Sequence, residues 1–338
     1  MTFRVRPLDF PELRQDPLSG KWAVIATDRA SRPGSDLFRE SETPLNFCPF
    51  CEGCEHFTTP EILASRNPGT PADGPGWRVR LFGNLYAAVR PGTASPIGSA
   101  IAPGVLAAGA HDVIAECAHH EQSLARVSLD NFRDLIRIWR DRLRMHRESR
   151  RYPFALVFKN SGTGAGASVE HSHSQILAMP VIPTNILHEL ANSRLWYAQH
   201  GSCIGCDTLR NELAASTRIV AANERTVAHS VWASCWPFEM SLWPRNHQSH
   251  FEAIGEADID SLAELLKDVL GRLDRKLNNP AYNLVLHTAP LDSPPMPSYH
   301  WHLKILPRVT QPAGFEWGTG CHINPVAPEQ AAEYLRER

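Results

Sequence analysis

One order of features occurs twice in this chain and restricts its fold more than anything else in it: a CxxC pair, a histidine, an amphipathic helix, a β-rich run, a loop and an HxH pair. The first copy runs from Cys48 and Cys51 of "CPFC" through His120 of "AHHEQSL" to His171 and His173. The second runs from Cys203 and Cys206 of "CIGC" through His247 of "NHQSHFEAI" to His300 and His302. His119 and His250 are second choices for the middle histidine. Self-similarity on this scale means that one supersecondary unit has been used twice. A chain of 338 residues is also longer than a single core usually fills. Two domains are therefore expected, residues 1–190 and 191–338, meeting between "VIPTNILHEL" and "CIGC".

The helices carry the repeat most visibly. In "SLDNFRDLIRIWRDRL" Ser128 is placed to cap the N-terminus, while Phe132, Leu135, Ile136, Trp139 and Leu143 share one face. "DIDSLAELLKDVLGRLDRKL" does the same with Leu262, Leu265, Leu266, Val269, Leu273 and Leu277. Each helix feeds a strand-like run, "YPFALVFKN" or "AYNLVLHT". Stretches rich in Gly, Pro and Ala, "RNPGTPADGPGW" and "RPGTASPIGSAIAPG", lack periodicity and read as surface loops. The expected class is α+β, two similar halves with antiparallel strands and a helix packed on each sheet.

A CxxC pair joined by two later histidines supplies two thiolates and two imidazoles, a tetrahedral shell suited to zinc. The repeat thus implies two ions per chain. A redox role for "CPFC" would need a strand before it and a helix after, and the preceding "ESETPLNF" is turn-like. Cys54, Cys117, Cys235 and Cys321 lack such companions and read as ordinary small side chains or inert thiols.

Strand geometry separates the two histidines of "EHSHSQILAMP". His171, His173 and Gln175 alternate onto one face, and a rise of about 3.3 Å per residue sets the imidazoles roughly 6–7 Å apart, too far to share one tetrahedral ion comfortably. If His171 closes the metal site, His173 is held beside it with a ring nitrogen to spare. The loop before it, "KNSGTGAGAS", carries Gly162, Gly164 and Gly166, whose permissive backbone could gather N–H groups around an anion. It is neither a dinucleotide fingerprint, since a strand follows it, nor a P-loop, since the GK[ST] ending is missing. Glycine loop, pinned imidazole and amide together suit nucleophilic attack on a phosphate ester, with Gln175 and loop N–H groups stabilising the non-bridging oxygens. The second copy has Lys304 in place of Gln175 and "APLDSPPMPS" in place of the glycine loop. Prolines remove N–H donors, so one active and one structural half are expected.

Composition excludes other classes. The chain is 43% hydrophobic and 21% charged with a formal net charge of −2, which favours neither nucleic acid nor a membrane surface as partner. No window reaches the length of an apolar span, and "MTFRVRPLDFPELRQDP" lacks the apolar core of a signal peptide. A cytoplasmic location is expected.

Five stretches, "DPLSGKWAVIATDRASRP", "CPFC", "FGNLYAAV", "VFKNSGTGAGASVEHSHSQ" and "GFEWGTG", resemble the galactose-1-phosphate uridylyltransferase family, a branch of the histidine-triad superfamily. The resemblance spans nearly the whole chain. It implies two histidine-triad-like halves, a homodimer, and ping-pong transfer of a nucleoside monophosphate from a nucleotide sugar to a hexose 1-phosphate or to inorganic phosphate. By position it implies His173 as nucleophile and Gln175 as a phosphate contact. Cys48, Cys51, His120 and His171 match the zinc ligands, while Arg29, Arg32, Asn84, Asn160, Gly166, Ala167 and Ser168 match substrate-contacting positions. Two departures, HSHSQ where uridylyltransferases show HPHGQ and the second CxxC, look more like the ADP-sugar phosphorylase branch. In that branch Cys203, Cys206, His247 and His300 would hold a second zinc. Phe315 also stands where uridylyltransferases have a sugar-contacting tyrosine. The competing readings are a hydrolase of the histidine-triad type and a non-catalytic zinc- and nucleotide-binding protein.

Overall fold

The computed structural model describes residues 8–31 and 47–337. Seven strands, β1 (Glu12–Gln15), β2 (Trp22–Ile25), β3 (Glu61–Arg66), β4 (Trp77–Gly83), β5 (Pro96–Ser99), β6 (Ala102–Leu106) and β7 (Ala110–Ala115), precede helix α1 (Leu129–Ser149). Strands β8 (Phe154–Ser161) and β9 (His173–Met179) follow, then helices α2 (Thr184–His200) and α3 (Ile204–Ala215). The remainder is β10 (Ile219–Ala222), β11 (Thr226–Ser230), β12 (Met240–Pro244), α4 (Glu256–Leu277), β13 (Tyr282–His287), β14 (His302–Pro307), α5 (Gly314–Thr319) and α6 (Pro328–Arg336).

Ten strands form one antiparallel sheet in the order β10-β11-β12-β14-β13-β8-β9-β7-β4-β3. Read from either end the order is the same once the halves are exchanged: β3 answers to β10, β4 to β11, β7 to β12, β9 to β14 and β8 to β13. The twofold repeat of the sequence is thus a twofold repeat of topology. The halves are joined at the centre by β8 and β13, where Asn160 lies opposite Asn283 and Val157 opposite Leu286.

The two helices form where their apolar spacing places them. Ser128 caps α1 by accepting from the Asn131 amide at 3.1 Å, and the helix ends on Arg150 in the left-handed region. α4 opens at Gly255, whose amide donates to the Asp258 carboxylate at 3.2 Å, and ends on left-handed Asn278. Phe132, Leu135, Ile136, Trp139 and Leu143 of α1 and Leu262, Leu266, Val269 and Leu273 of α4 are buried in one continuous core with sheet residues of both halves. Burying side chains of this size contributes about 1.5–3 kcal/mol each. The polar faces of the helices meet through Arg133–Asp260 at 2.9 Å and Arg137–Glu256 at 2.7 Å, exposed pairs worth roughly 0–1 kcal/mol each.

The stretch "RPGTASPIGSAIAPG" departs from the loop expected of it. It contains β5 and the start of β6, a hairpin that pairs through β6 with β1 to build a four-stranded sheet in the order β2-β1-β6-β5. Gly98 makes the hairpin possible, because its φ is +80° and a Cβ there would lie 2.1 Å from the Ala102 carbonyl oxygen. The partner strand lies far back in the chain, so local periodicity carried no sign of the pairing. Among the described residues no helix is long and apolar enough to cross a membrane.

Candidate active site and metal centres

Cys48, Cys51, His120 and His171 converge, their ligand atoms all within 4.8 Å of one another. The Cys51 thiol lies 3.5 Å from His171 Nδ1 and 3.7 Å from His120 Nδ1, and Cys48 lies 3.5 Å from His171 Nδ1. Atoms about 2.0–2.3 Å from a tetrahedral zinc stand roughly 3.5 Å apart, so the donor set and its spacing fit the ion. His171 Nε2 donates to the Cys117 carbonyl at 2.9 Å, which leaves the bare Nδ1 facing the two thiols. Burial holds His171 neutral by pushing it down to about 4, while burial and the adjacent Cys48 push the Cys51 thiol up to about 12. A cation between the thiols reverses the second effect.

Cys203, Cys206, His247 and His300 form the equivalent group. Cys206 lies 3.4 Å from His247 Nδ1 and 3.5 Å from His300 Nδ1, and His247 Nε2 donates to the Met296 carbonyl at 3.2 Å. The histidines that join the two groups are His120 and His247, not the neighbouring His119 and His250. Unlike "CPFC", "CIGC" opens a helix, with Cys203 as the residue before α3. Gly205 is required there, since a Cβ would lie 2.5 Å from the Trp243 ring and 2.8 Å from His300 Cβ.

The side chains of "HSHSQ" divide as strand alternation demands. On one face Ser172 and Lys159 share the Glu116 carboxylate at 2.6 and 2.7 Å, fully buried, and Lys159 also donates to the His173 carbonyl at 3.1 Å. Ser174 accepts from Trp139 of α1 at 3.1 Å. On the other face His173 donates from Nδ1 to the His171 carbonyl at 2.7 Å. A carbonyl can only accept, so the neutral ring carries its lone pair on Nε2, the tautomer that nucleophilic attack requires. Phe50, inside "CPFC", sets its ring edge-on to His173 with centroids 5.3 Å apart. The CPFC loop thus packs against the second histidine as well as setting its thiols beside the first. The only local sign of the Glu116–Lys159 pair is one lysine inside the apolar run "FALVFKN".

Gly162 and Gly166 both adopt positive φ, +80° and +87°, and bracket a short 3-10 turn, Thr163–Ala165. The amides of Ala165 and Ala167 donate back to the Gly162 carbonyl and that of Gly166 to Thr163, so these three donors close the loop upon itself. With Ser161, Ala167 and Ser168 the loop lines a cavity of about 380 Å³. Asn160 accepts from Asn283 at 2.8 Å. Carrying the β8–β9 register two residues past its last pair, Phe158 opposite Gln175, sets Asn160 beside His173, as His287 is set beside His302. Arg29 donates to the Tyr86 carbonyl of the turn after β4. Asn84, at the start of that turn, directs its amide nitrogen toward Gln175 Oε1 at 3.5 Å. Arg32 lies outside the described residues. Phe315, on α5, is half exposed.

In the second half His302 repeats the bond to the carbonyl two residues back, at 3.2 Å, but is enclosed. It stacks between Trp243 at 4.3 Å and His287 at 4.6 Å, and its Nε2 lies 3.4 Å from Glu189 of α2. Glu189, His287 and His302 form a third group able to hold a metal ion. Burial opposes ionisation of Glu189, yet the His287 hydrogen bond and neighbouring positive charge hold its carboxyl at about 2. Glu189 reaches this site from a helix with no counterpart in the repeat, so spacing could not have revealed it.

Two HxH strands, each packed by a helix and each beside a Cys2His2 group, define a tandem histidine-triad architecture. A family model described as a domain of unknown function, DUF4921, matches residues 99–338. ADP-glucose phosphorylase of Arabidopsis thaliana is 32% identical over 97% of this chain and 93% of its own length. Galactose-1-phosphate uridylyltransferase of Haemophilus influenzae is 26% identical over 99% and 97%. Among solved structures, a uridylyltransferase superposes with a TM-score of 0.80 at 27% identity over 96% of this chain and 97% of its own. The Arabidopsis phosphorylase with bound ADP-glucose gives 0.76 at 32% over 97% and 99%. The chain belongs to the galactose-1-phosphate uridylyltransferase family and is a nucleotidyltransferase.

Proposed function

We propose that this enzyme moves a nucleoside monophosphate from a nucleotide sugar, UDP-glucose or ADP-glucose, through a covalent adduct on His173. The observation that carries the reading is the bond from His173 Nδ1 to the His171 carbonyl, which presents the Nε2 lone pair and accommodates the positive charge that the ring gains on attack. Nε2 bonds to the α-phosphorus as the bond to the hexose 1-phosphate oxygen breaks, and hexose 1-phosphate leaves. An oxygen of the acceptor, a hexose 1-phosphate or inorganic phosphate, then attacks phosphorus and the P–N bond breaks. Both leaving groups are stable anions, so positioning and charge stabilisation carry the rate. Gln175 would donate to a non-bridging oxygen, with Arg29, Arg32, Asn84, Asn160 and the Gly166–Ser168 segment around the nucleotide and phosphates.

Zinc fits both Cys2His2 groups, giving two ions per chain. Each would fix the loop that carries its cysteines against its HxH strand, with no role in the transfer itself. Within this reading residues 1–190 form the catalytic half and 191–338 the second half, and two chains associate in a reducing compartment such as the cytoplasm. Sedimentation at micromolar concentration tests the dimer. A second reading, phosphorolysis of an ADP-sugar, is favoured by the complete second Cys2His2 group and by Phe315 in place of a tyrosine.

Intact-mass spectrometry after incubation with UDP-glucose and, separately, ADP-glucose tests the proposal, under conditions that spare acid-labile phosphoramidates. An adduct of one nucleoside monophosphate, mapped to His173, is expected, and its mass names the nucleotide. Discharge by galactose 1-phosphate or by inorganic phosphate names the acceptor. Discharge at the same rate in buffer alone would make the protein a hydrolase.

A further inference from the structure

We propose that His111 is a positioning residue that fixes which end of the Gln175 amide faces the phosphate. This deepens the nucleotidyl-His173 reading and rests on it. His111 lies in β7, diagonal to Gln175 of β9 and on the same face: Val113 is opposite Gln175 and His111 opposite Leu177. Both side chains are buried. Its one sign in the sequence is a polar side chain inside the otherwise strand-like run "GAHDVIAE".

The two ends of a carboxamide have nearly the same shape and opposite hydrogen-bonding character, so a phosphate-binding glutamine needs something to decide its orientation. Here the decision traces to the backbone. The Ala88 amide donates to His111 Nδ1 at 3.0 Å. A backbone N–H can only donate, so Nδ1 must be the bare nitrogen and the neutral ring carries its proton on Nε2. That Nε2–H lies 2.8 Å from Gln175 Oε1 and donates to it. Asn84 is set by the same turn: Tyr86 N–H donates to Asn84 Oδ1 at 2.9 Å, which turns the Asn84 amide nitrogen toward Gln175 Oε1 at 3.5 Å. Asn84 Nδ2 also lies 3.3 Å from His111 Nε2. In this tautomer that approach is two donors converging on one oxygen, not a bond between them. With its oxygen held by two donors, Gln175 turns its NH2 group away from His111, the orientation in which it stabilises an anion. A flipped amide would present an oxygen to the phosphate and raise the barrier.

Rapid-quench measurement of adduct formation tests this on four proteins: wild type, His111→Phe, Gln175→Ala and the double variant. His111→Phe should slow adduct formation by about 10-fold to 100-fold, less than outright removal of an oxyanion donor, with nucleotide-sugar affinity little changed. In the Gln175→Ala background the same substitution should cost nothing further, because it acts through an amide no longer present. His111→Gln, which can still donate, should recover part of the rate. Should His111→Phe fold poorly, ¹⁵N shifts of histidine-labelled wild type read the tautomer directly. Nδ1 bare and Nε2 protonated is expected, and the opposite tautomer overturns the inference. An undiminished rate in His111→Phe, or an equal loss with and without Gln175, overturns this inference alone. Absence of any adduct in the wild-type protein overturns the nucleotidyl-histidine reading and this inference together.

Discussion

His173 and His302 occupy equivalent places in equivalent strands, each bonded through Nδ1 to the carbonyl two residues back, and their surroundings diverge immediately beyond the ring. Around His173 stand Gln175, Asn160 from the neighbouring strand, and a loop whose Gly162 and Gly166 need positive φ. Around His302 the same positions hold Lys304, His287 and a proline loop, Trp243 and His287 cover both ring faces, and Glu189 meets Nε2. Met296 of that proline loop is packed with Phe154, Ile186, Leu190 and Tyr299 in an apolar cluster. A tautomer and a nearby Cys2His2 group are therefore common to both halves. Reactivity must come from what reaches the second nitrogen.

The sharpest break in the comparison comes from exchanging each histidine for alanine. His173→Ala should lower turnover by about 10⁴-fold or more while zinc content and thermal midpoint stay near those of the parent. His302→Ala should leave turnover nearly unchanged and lower the thermal midpoint, because it empties a buried ring site. Equal losses of turnover would mean that both halves react. Next come the metal groups. Cys48→Ser and Cys203→Ser should each remove one zinc per chain, measured by elemental analysis. Both should lower thermal stability, but Cys48→Ser should also cut turnover by about 10-fold to 100-fold because its loop carries Phe50 against His173.

Smaller effects separate the loops. Gly166→Ala forces a left-handed backbone on an L side chain at a cost of about 1–2 kcal/mol and should weaken nucleotide-sugar binding about tenfold, whereas Pro295→Ala should leave it unchanged. The smallest effect concerns Glu189→Gln, expected to lower stability to denaturant by about 1 kcal/mol near pH 7. Its folded pKa is depressed from 4.5 to about 2, so its contribution is fully present above pH 4.5 and is lost as pH falls toward 2. Wild type and variant should converge across that window. A gap that persists at pH 2 would mean the carboxylate charge is not what matters.

The repeat, both helices with their buried faces, and the membership of both Cys2His2 groups were legible in the sequence because each rests on local periodicity or on the short list of side chains that bind zinc. The single ten-stranded sheet was not, since pairing β8 with β13 joins residues 157–161 to 282–286 and neither run says what its open edge will meet. Likewise His111, Glu116 and Glu189 reach the HxH segments from residues remote in the chain. The resemblance implies Asn84 as a substrate contact, and in the fold its side chain lies against His111 and Gln175. Strand alternation alone divided "HSHSQ" between two imidazoles and an amide on one side and hydroxyls on the other.

Because β8 lies at the seam of the sheet, the ribosome releases the first half with that strand's hydrogen-bonding groups uncovered, and its partner Tyr282–Leu286 emerges only after α4. At about 5–20 residues per second the wait is on the order of 10 s. Throughout it the nascent chain offers an open template to any neighbouring strand. Chaperone demand during synthesis, more than stability once finished, is where this architecture is most exposed.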